Sequence, residues 1–254
     1  MQLYLIGTKS IENAECIIVK DIRMRDLLRA QGDRWGIRLS DHQMDQFESY
    51  LKLIQLWQER VVRLVGDARA EKLVGEHLGD SLAVYRCIGS WRDKRVIDIG
   101  SGAGFPGITL KLIEPALVIT LLESSSKKAA FLRKVSVELG LSDVGVVRDR
   151  AEDAGQDTEF REQYDIATMR AVASLPRALE LGLEFVKVGG SLVLSRGATT
   201  PSDFETADTV ARRLGGGEVV VRSGQMDGAV IRGSIMTVQK GFGMEEMLPR
   251  WRVK

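Results

Sequence analysis

Hydrophobic side chains recur every three or four residues in two segments near the start of the chain, which predicts two amphipathic helices. In the first segment the apolar positions are Met44, Phe47, Leu51, Ile54, Trp57, Val61 and Leu64. Ser40 and Gln43 have the spacing of a capping box, so we expect this helix to begin just after Ser40. The second helix is predicted at about residues 68–88, and it carries Leu73, His77, Leu78, Leu82 and Tyr85.

From Arg95 onwards, short apolar runs alternate with helical periods. Strands are predicted at Arg95–Ile99, Val118–Leu122, Val144–Arg148, Tyr164–Met169 and Gly190–Ser195, and Glu218–Arg222 with Ala229–Lys240 form a terminal hairpin. Helices are predicted at Ile108–Ile113, Lys127–Leu139, Ser174–Val186 and Phe204–Leu214. This alternation favours an α/β fold of three layers, Rossmann-like, in which helices cover both faces of a mostly parallel sheet.

The pattern divides the chain into four regions. Residues 1–23 show no long period and are predicted to be an N-terminal extension of unknown role. Residues 24–91 form an N-terminal helical cap, and residues 92–240 form the α/β domain. Residues 241–254 are a basic C-terminal tail.

Composition excludes several classes of protein. Apolar residues make up 44% and charged residues 28% of the 254 residues, as in a globular protein with a sizeable core. The net charge of +1 does not argue for a polyanionic partner, which would have to meet a local basic patch. With two cysteines and two histidines we expect no metal site and no disulfide framework. No apolar run approaches the roughly 20 residues of a membrane span, so we expect a cytoplasmic protein. We also expect it to be a monomer.

A glycine-rich loop directly follows the first predicted strand. Gly100, Gly102 and Gly104 permit positive φ and close approach of the backbone to a ligand, and ligands of open α/β sheets bind at this end of the strands. Glu123 closes the next strand about 20 residues later, where such folds place an acid that binds ribose hydroxyls. The pattern indicates a nucleotide-like cofactor.

Two other interpretations of this segment stay open. The loop could serve only to join strand and helix, and Glu123 could be an acid at a helix start that Ser124, Ser125 or Ser126 caps. A dinucleotide fingerprint fits less well, because its first glycine would be Gly102, two residues beyond the strand.

Residues Ile97–Ile108, with Phe-Pro-Gly after the glycines, resemble the cofactor loop of the RsmG (GidB) family, the 16S ribosomal RNA guanine-N7 methyltransferases. Four further stretches are similar to segments of that family in the same order: His77–Leu82, Leu122–Leu132, Arg150–Asp153 and Arg170–Leu175. The resemblance spans roughly residues 24–240. It implies a Rossmann-like methyltransferase fold, S-adenosyl-L-methionine as cofactor, and 16S ribosomal RNA or the small ribosomal subunit as partner.

The resemblance and the glycine pattern together predict the residues that bind the cofactor. They are Gly100, Gly102, Gly104, Phe105, Glu123, Ala151, Glu152 and Arg170. Arg170 is also the predicted catalytic residue, because it ends the fourth strand, where it could bind the methionine carboxylate or orient the substrate. The alternative for Arg170 is a salt bridge at the sheet edge.

A second set of residues is predicted to contact the RNA: Arg150, Arg196, Arg232, His77 and Asp80. The three arginines lie in or beside segments that resemble the family. His77, Asp80 and Ser81 share one helix face, so they either line the site or form a buried polar network between cap and sheet.

The implied reaction needs little proton chemistry. Guanine N7 has a lone pair and no proton, so its methylation by in-line displacement requires no general base, only N7 held at about 3–3.5 Å from the methyl group. Three alternatives stay open: a methyltransferase of another substrate, a nicotinamide-dependent oxidoreductase, and a non-catalytic RNA-binding or ribosome-assembly factor.

Overall fold

The computed structural model describes residues 24–170 and 173–242, so the predicted extension and nearly all of the predicted tail lie outside the described residues. Within them, seven strands form one sheet in the order β3-β2-β1-β4-β5-β7-β6. The strands are β1 (Arg95–Ile99), β2 (Val118–Leu122), β3 (Val144–Val147), β4 (Tyr164–Arg170), β5 (Val186–Arg196), β6 (Gly216–Met226) and β7 (Ala229–Lys240). The first five strands are parallel, and β7 runs antiparallel between β5 and β6.

Helices cover both faces of this sheet, as the sequence predicts. They are α1 (residues 24–34), α2 (Asp41–Arg60), α3 (Ala70–Lys72), α4 (Gly79–Cys87), α5 (Gly107–Ile113), α6 (Ser126–Glu138), α7 (Ala151–Ala154), α8 (Leu175–Phe185) and α9 (Pro201–Arg213). One buried cluster joins α1, α2, α4, α5 and α6 to one face of the sheet. A second cluster lies between the other face and α8 and α9. The predicted three-layer α/β architecture is therefore confirmed.

The long cap helix begins where the capping box predicts and ends earlier than its hydrophobic period. The backbone N–H of Gln43 donates to the Ser40 hydroxyl (3.2 Å), and the Gln43 side chain accepts from the Ser40 N–H (2.9 Å). The helix ends at Arg60, so the prediction that Val61 and Leu64 continue its buried face is wrong. Val61 is 46% exposed, whereas Leu64 is buried from the loop that follows the helix.

The second predicted helix is interrupted by a π-helical segment at Leu73–Leu78, which lies between α3 and α4. Segments of this kind are rare in proteins, and those that occur are often found at functional sites. His77 belongs to the segment, and Asp80 and Ser81 lie in the first turn of α4. No helix among residues 24–170 and 173–242 is long and apolar enough to cross a membrane.

Boundaries differ from the prediction mainly in the second half of the chain. Helix α9 begins at Pro201 and not at Phe204, because Thr200 and Asp203 form a capping box. Strands β5 and β6 extend beyond the predicted Gly190–Ser195 and Glu218–Arg222. The short helix α7 was not predicted. Strands β1 and β2 have the predicted bounds.

Candidate functional site

The glycine loop after β1 turns across the end of β2. Gly100, Gly102 and Gly104 have φ of +70°, +57° and +96°, which confirms the expected left-handed backbone. The N–H groups of Gly100 and Ser101 donate to the Leu122 carbonyl at 2.8 and 3.1 Å. The loop is thus fixed to the neighbouring strand at the end of the sheet where α/β folds bind ligands.

Glu123 joins the glycine loop to the start of α6. One carboxylate oxygen accepts from the Gly102 N–H (2.9 Å), and the other accepts from the Ser125 N–H (2.8 Å). The side chain of Ser125 caps α6, so Glu123 is not the cap residue. Each carboxylate oxygen has a second lone pair, and these remain for a ligand hydroxyl.

Tyr50, which lies on α2 of the N-terminal helical cap, packs against the glycine loop. It was not among the predicted site residues. Its hydroxyl donates to the Ala103 carbonyl (2.8 Å), and its ring lies 5.2 Å from the ring of Phe105. Tyr50 is fully buried on α2 between Phe47 and Ile54. A buried tyrosine hydroxyl needs a partner, and this was the signal in the sequence that could have identified it.

Tyr50→Phe is expected to lower the free energy of unfolding by about 1–2 kcal/mol, because the buried Ala103 carbonyl loses its donor. We also expect a several-fold loss of cofactor affinity, since the loop is no longer fixed to the cap. Urea denaturation and titration calorimetry measure the two effects. Tyr164→Phe is the matched control, because the Tyr164 hydroxyl donates to Thr120 Oγ1 (3.2 Å) away from the loop. A Tyr50→Phe protein with wild-type cofactor affinity would contradict this role.

A first cleft of about 300 Å³ lies beside the glycine loop. It is lined by Ile99, Gly100, Leu122, Ser124, Asp149, Arg150, Ala151, Glu152, Ala173, Arg177 and Leu181. It brings together three of the predicted cofactor residues, Gly100, Ala151 and Glu152, and the Glu152 carboxylate pairs with Arg177 at 3.1 Å. Arg150, predicted to contact RNA, lies in this cleft with the cofactor residues and apart from the other predicted RNA contacts.

The other predicted cofactor residues do not line this first cleft. Gly102 and Glu123 bind each other at its edge, and Gly104 packs against Tyr50 and Ile108. Phe105 is 2% exposed, with its ring against the cap. Their direct contact with the cofactor stays a prediction.

A second cleft of about 610 Å³ brings together four of the five predicted RNA contacts and Arg170. Its lining residues are Glu76, His77, Asp80, Arg170, Ser195, Arg196, Gly197, Ala198, Arg232 and Gly233. Ser81 is not among them, because its side chain is buried and its hydroxyl donates to the His77 carbonyl (2.8 Å). Of the three polar residues on this helix face, two line the cleft and one is internal.

Arg170 is held from three sides at the inner end of the second cleft. Its Nη1 donates to His77 Nδ1 (2.8 Å), and its guanidinium carbon lies 5.4 Å from the centre of the Phe105 ring. The Asp80 carboxylate is 3.9 Å away. Because arginine only donates, His77 carries its proton on Nε2. Burial and then the Arg170 charge lower the pKa of His77 to about 4, so its imidazole is neutral at physiological pH.

Two acids of this cleft differ in their partners. Glu76 pairs with Arg232 (2.8 Å) and with Lys72, and these bonds lower its pKa to about 2. Among the described residues, Arg170 is the one cation within 4 Å of the Asp80 carboxylate, and burial raises the pKa of Asp80 to about 6 although Arg170 and Arg232 oppose this shift. Asp80 is thus ionised at neutral pH with its carboxylate facing the cleft.

Asp98 is a buried acid in β1 that the sequence analysis did not assign a role. Its carboxylate accepts from the Thr168 hydroxyl (2.8 Å) and from the Gly107 N–H (3.2 Å). Burial raises the pKa of Asp98 to about 6. It joins β1, β4 and the start of α5 beneath the loop, and an acid in an otherwise apolar strand was the signal for it.

The two clefts lie on either side of the carboxyl end of β4. Ile99, which lines the first, pairs in register with Met169, the residue before Arg170. Ala173 also lines the first cleft, and its carbonyl accepts from Arg196 of the second (2.8 Å). Among the residues that the structure describes, no three His, Cys, Asp or Glu side chains are grouped as a metal site would require.

The sequence matches the family model described as rRNA small subunit methyltransferase G (GidB) over residues 43–228. A protein of Roseiflexus castenholzii named ribosomal RNA small subunit methyltransferase G is 41% identical over 218 residues, which cover 85% of this chain and 91% of that protein. A protein of the same name from Acetivibrio thermocellus is 38% identical, over 78% of this chain and 80% of that protein.

Solved structures with low sequence identity share the fold. A protein of Methanococcus maripaludis, named as an S-adenosyl-L-methionine-dependent methyltransferase, superposes with a TM-score of 0.52 at 14% identity, over 68% of this chain and 90% of that chain. A protein of Agrobacterium tumefaciens named as an O-methyltransferase gives 0.50 at 17% identity, over 64% and 81% of the two chains. The Rossmann-like α/β fold is thereby confirmed.

Proposed function

The chain belongs to the rRNA small subunit methyltransferase G (GidB) family, and from this membership we propose that it transfers a methyl group from S-adenosyl-L-methionine to N7 of a guanine in small-subunit (16S) ribosomal RNA. The pair of clefts on either side of the end of β4 supports this function most directly. One cleft suits a nucleoside-like cofactor and the other is lined by three arginines. Their junction at Arg170 is where a cofactor and a base could meet.

The first cleft and the glycine loop beside it fit the cofactor. Gly102 is bordered by open space, since a Cβ built there would meet only the Gly100 carbonyl, at 3.8 Å. Leu122 and Leu181 offer apolar surface for an adenine, and the Glu152 carboxylate and the Ala151 N–H can bind its polar edge. We expect Gly100 and Glu123 to contact the methionine and ribose portions. When bound, the cofactor supplies a methyl group on a positively charged sulfur.

The side chains of the site position the reactants and transfer no proton. Guanine N7 attacks through a lone pair, so no base is needed, and alignment of the two reactants supplies most of the catalysis. His77 is neutral and accepts from Arg170, which leaves the guanidinium fixed over Phe105 at the junction of the clefts. Arg170 is the proposed catalytic residue, through orientation of the bound groups.

The arginines of the second cleft would hold the RNA backbone. Arg232 is paired with Glu76, whereas Arg196 donates to a neutral carbonyl, and among the described residues no carboxylate lies within ion-pair distance of it. Arg196 is therefore available to pair with a phosphate. Arg150 lies in the first cleft, so a contact with RNA would come from its edge.

Arg196→Ala is expected to weaken RNA binding several-fold and to reduce the slope of log K against log salt by about one, as loss of one phosphate contact does. Filter binding at several salt concentrations measures the slope. Arg92→Ala is the matched control, because Arg92 is exposed just before β1, at the opposite end of the strand from the clefts. An unchanged slope for Arg196→Ala would show that this side chain makes no phosphate contact.

We expect the protein to act as a monomer in the cytoplasm, where ribosomal RNA is found. Residues 24–91 would serve as the cap and residues 92–240 as the catalytic domain. The cap contributes His77 and Asp80 to the second cleft, so it would take part in substrate binding.

Methyl transfer from labelled S-adenosyl-L-methionine to small-subunit ribosomal RNA, both naked and in the assembled particle, tests the function. We expect label in N7-methylguanosine after digestion to nucleosides. Label in another nucleoside would assign another substrate atom. Cofactor binding without any transfer to RNA would instead indicate a non-catalytic assembly factor.

A further inference from the structure

Asp80 is the acid in the second cleft with room for a new partner. The neighbouring Glu76 is occupied by Arg232 and Lys72. Among the described residues, no donor lies within hydrogen-bond distance of the Asp80 carboxylate, and its nearest cation, Arg170, is 3.9 Å away. The side chain is 23% exposed, and this exposed part faces the cleft. A partly buried carboxylate without a donor would gain strongly from a ligand that supplies two N–H groups.

We propose that Asp80 accepts hydrogen bonds from N1–H and the 2-amino group of the target guanine, and so determines which base is methylated. This inference rests on the proposed function and specifies the substrate side of the same site. Guanine presents these two donors side by side, on the edge of the ring that faces away from N7. With N7 at the junction of the clefts, that edge extends into the second cleft, toward the cap residue Asp80.

The same contact would discriminate against adenine. Adenine has an acceptor at N1 and no 2-amino group, so it would place a lone pair against a carboxylate and leave the carboxylate unpaired. A site that binds polar groups of its substrate rejects analogues without them much more strongly than an apolar pocket does. Asp80 is the residue of this cleft whose chemistry fits that task.

Asp80 would also favour the transition state. Attack through N7 makes the purine ring positively charged and its N1–H more acidic, while the arginines at 170, 196 and 232 oppose a growing positive charge. A carboxylate on N1–H compensates for this repulsion, and its hydrogen bond strengthens as the charge develops. Interactions that strengthen between the ground state and the transition state raise kcat. Burial raises the pKa of Asp80 to about 6, which leaves it ionised at neutral pH.

The test compares Asp80→Asn with wild type on two RNAs, one with guanosine and one with inosine at the methylated position. Inosine keeps N7 and N1–H but lacks the 2-amino group. We expect wild type to prefer guanosine over inosine by about tenfold or more, the effect of one hydrogen bond to a charged group. Asp80→Asn should lose about 100-fold in kcat on guanosine, and its preference for guanosine should fall to about twofold or less.

Glu76→Gln is the matched control, because Glu76 lines the same cleft but is bound to Arg232. It should change the rates on both RNAs by the same factor and keep the preference for guanosine. Calorimetry should give wild-type cofactor affinity for Asp80→Asn, which shows that the variant is folded.

Three results would overturn the inference: an Asp80→Asn protein that keeps the preference for guanosine, one that keeps wild-type kcat, or a wild-type protein that methylates both RNAs equally. The last result needs no variant, so the inference can be tested even if Asp80→Asn does not fold. Failure of the proposed function looks different, since wild-type protein would then place no methyl group on N7 of the guanosine RNA.

Discussion

Arg170→Ala is expected to lower kcat for methyl transfer by about 100-fold or more. The side chain is held by His77 at 2.8 Å, by the face of Phe105 and by Asp80, at the junction of the two clefts. Its loss leaves a buried imidazole acceptor unpaired and removes the cation that balances Asp80. Misplacement of the reactants by about 1 Å is enough for a loss of this size. Single-turnover rates at saturating cofactor and RNA measure the effect on the chemical step.

Arg170→Lys is the informative companion. It keeps the charge but cannot donate to His77 and cover Phe105 in the same geometry, so we expect a rate between those of wild type and Arg170→Ala. Thermal unfolding of each variant separates loss of folding from loss of chemistry. Full activity of a folded Arg170→Ala protein would make Arg170 a structural salt-bridge residue, the alternative that the sequence leaves open.

Gly102→Val is expected to abolish cofactor binding while the protein remains folded. A Cβ at this position meets only the Gly100 carbonyl, at 3.8 Å, so the new side chain enters open space beside the loop. That space is where we expect the backbone to approach the cofactor. The φ of +57° adds a cost in the left-handed region of about 1–2 kcal/mol to folding. We expect a loss of cofactor affinity of 100-fold or more by calorimetry, with a cooperative unfolding transition retained.

Gly104→Ala, in contrast, is expected to act mainly on the stability of the protein. Its Cβ would lie 2.6 Å from Ile108 Cγ1 and 2.9 Å from the Tyr50 hydroxyl, so the loop and the cap cannot pack as they do. Overpacking and a φ of +96° together are expected to lower the free energy of unfolding by about 2–4 kcal/mol.

For Gly102→Val, unchanged cofactor affinity in the folded protein would remove this part of the loop from the binding site.

Local chemistry made parts of this protein predictable. The capping box of Ser40 and Gln43 fixed the start of α2, and the apolar runs of β1 and β2 gave their bounds. The glycines of the loop adopt the positive φ expected of them. These features depend on contacts between residues close in sequence, or on a strand that is buried over most of its length.

The features that escaped prediction depend on long-range packing. Helix α2 ends at Arg60 because the Gln58 side chain accepts from the N–H groups of Leu64 and Val65 and turns the chain back into the core. The π-helical segment at Leu73–Leu78 follows no sequence period. Arg150 and Arg196 both lie beside strand ends in the sequence, so the sequence alone could not show that they line different clefts.

The roles of Tyr50 and Asp98 were hidden for the same reason. Tyr50 fits the apolar period of α2, and only the distance from its hydroxyl to the Ala103 carbonyl shows that it binds the glycine loop. Asp98 stands within a buried strand, and its partners Thr168 and Gly107 come from other elements. A polar group in an apolar pattern indicates that a partner exists but not which one.

Strand scission at N7-methylguanosine tests the central claim most directly. Reduction of the positively charged methylated base leads to loss of that base, and aniline then cleaves the RNA at the abasic sugar by β-elimination of the phosphate. Small-subunit ribosomal RNA treated with the protein and S-adenosyl-L-methionine should be cleaved at one guanine, and RNA treated with Arg170→Ala should be cleaved far less. Incorporation of labelled methyl groups without cleavage at a guanine would contradict transfer to N7.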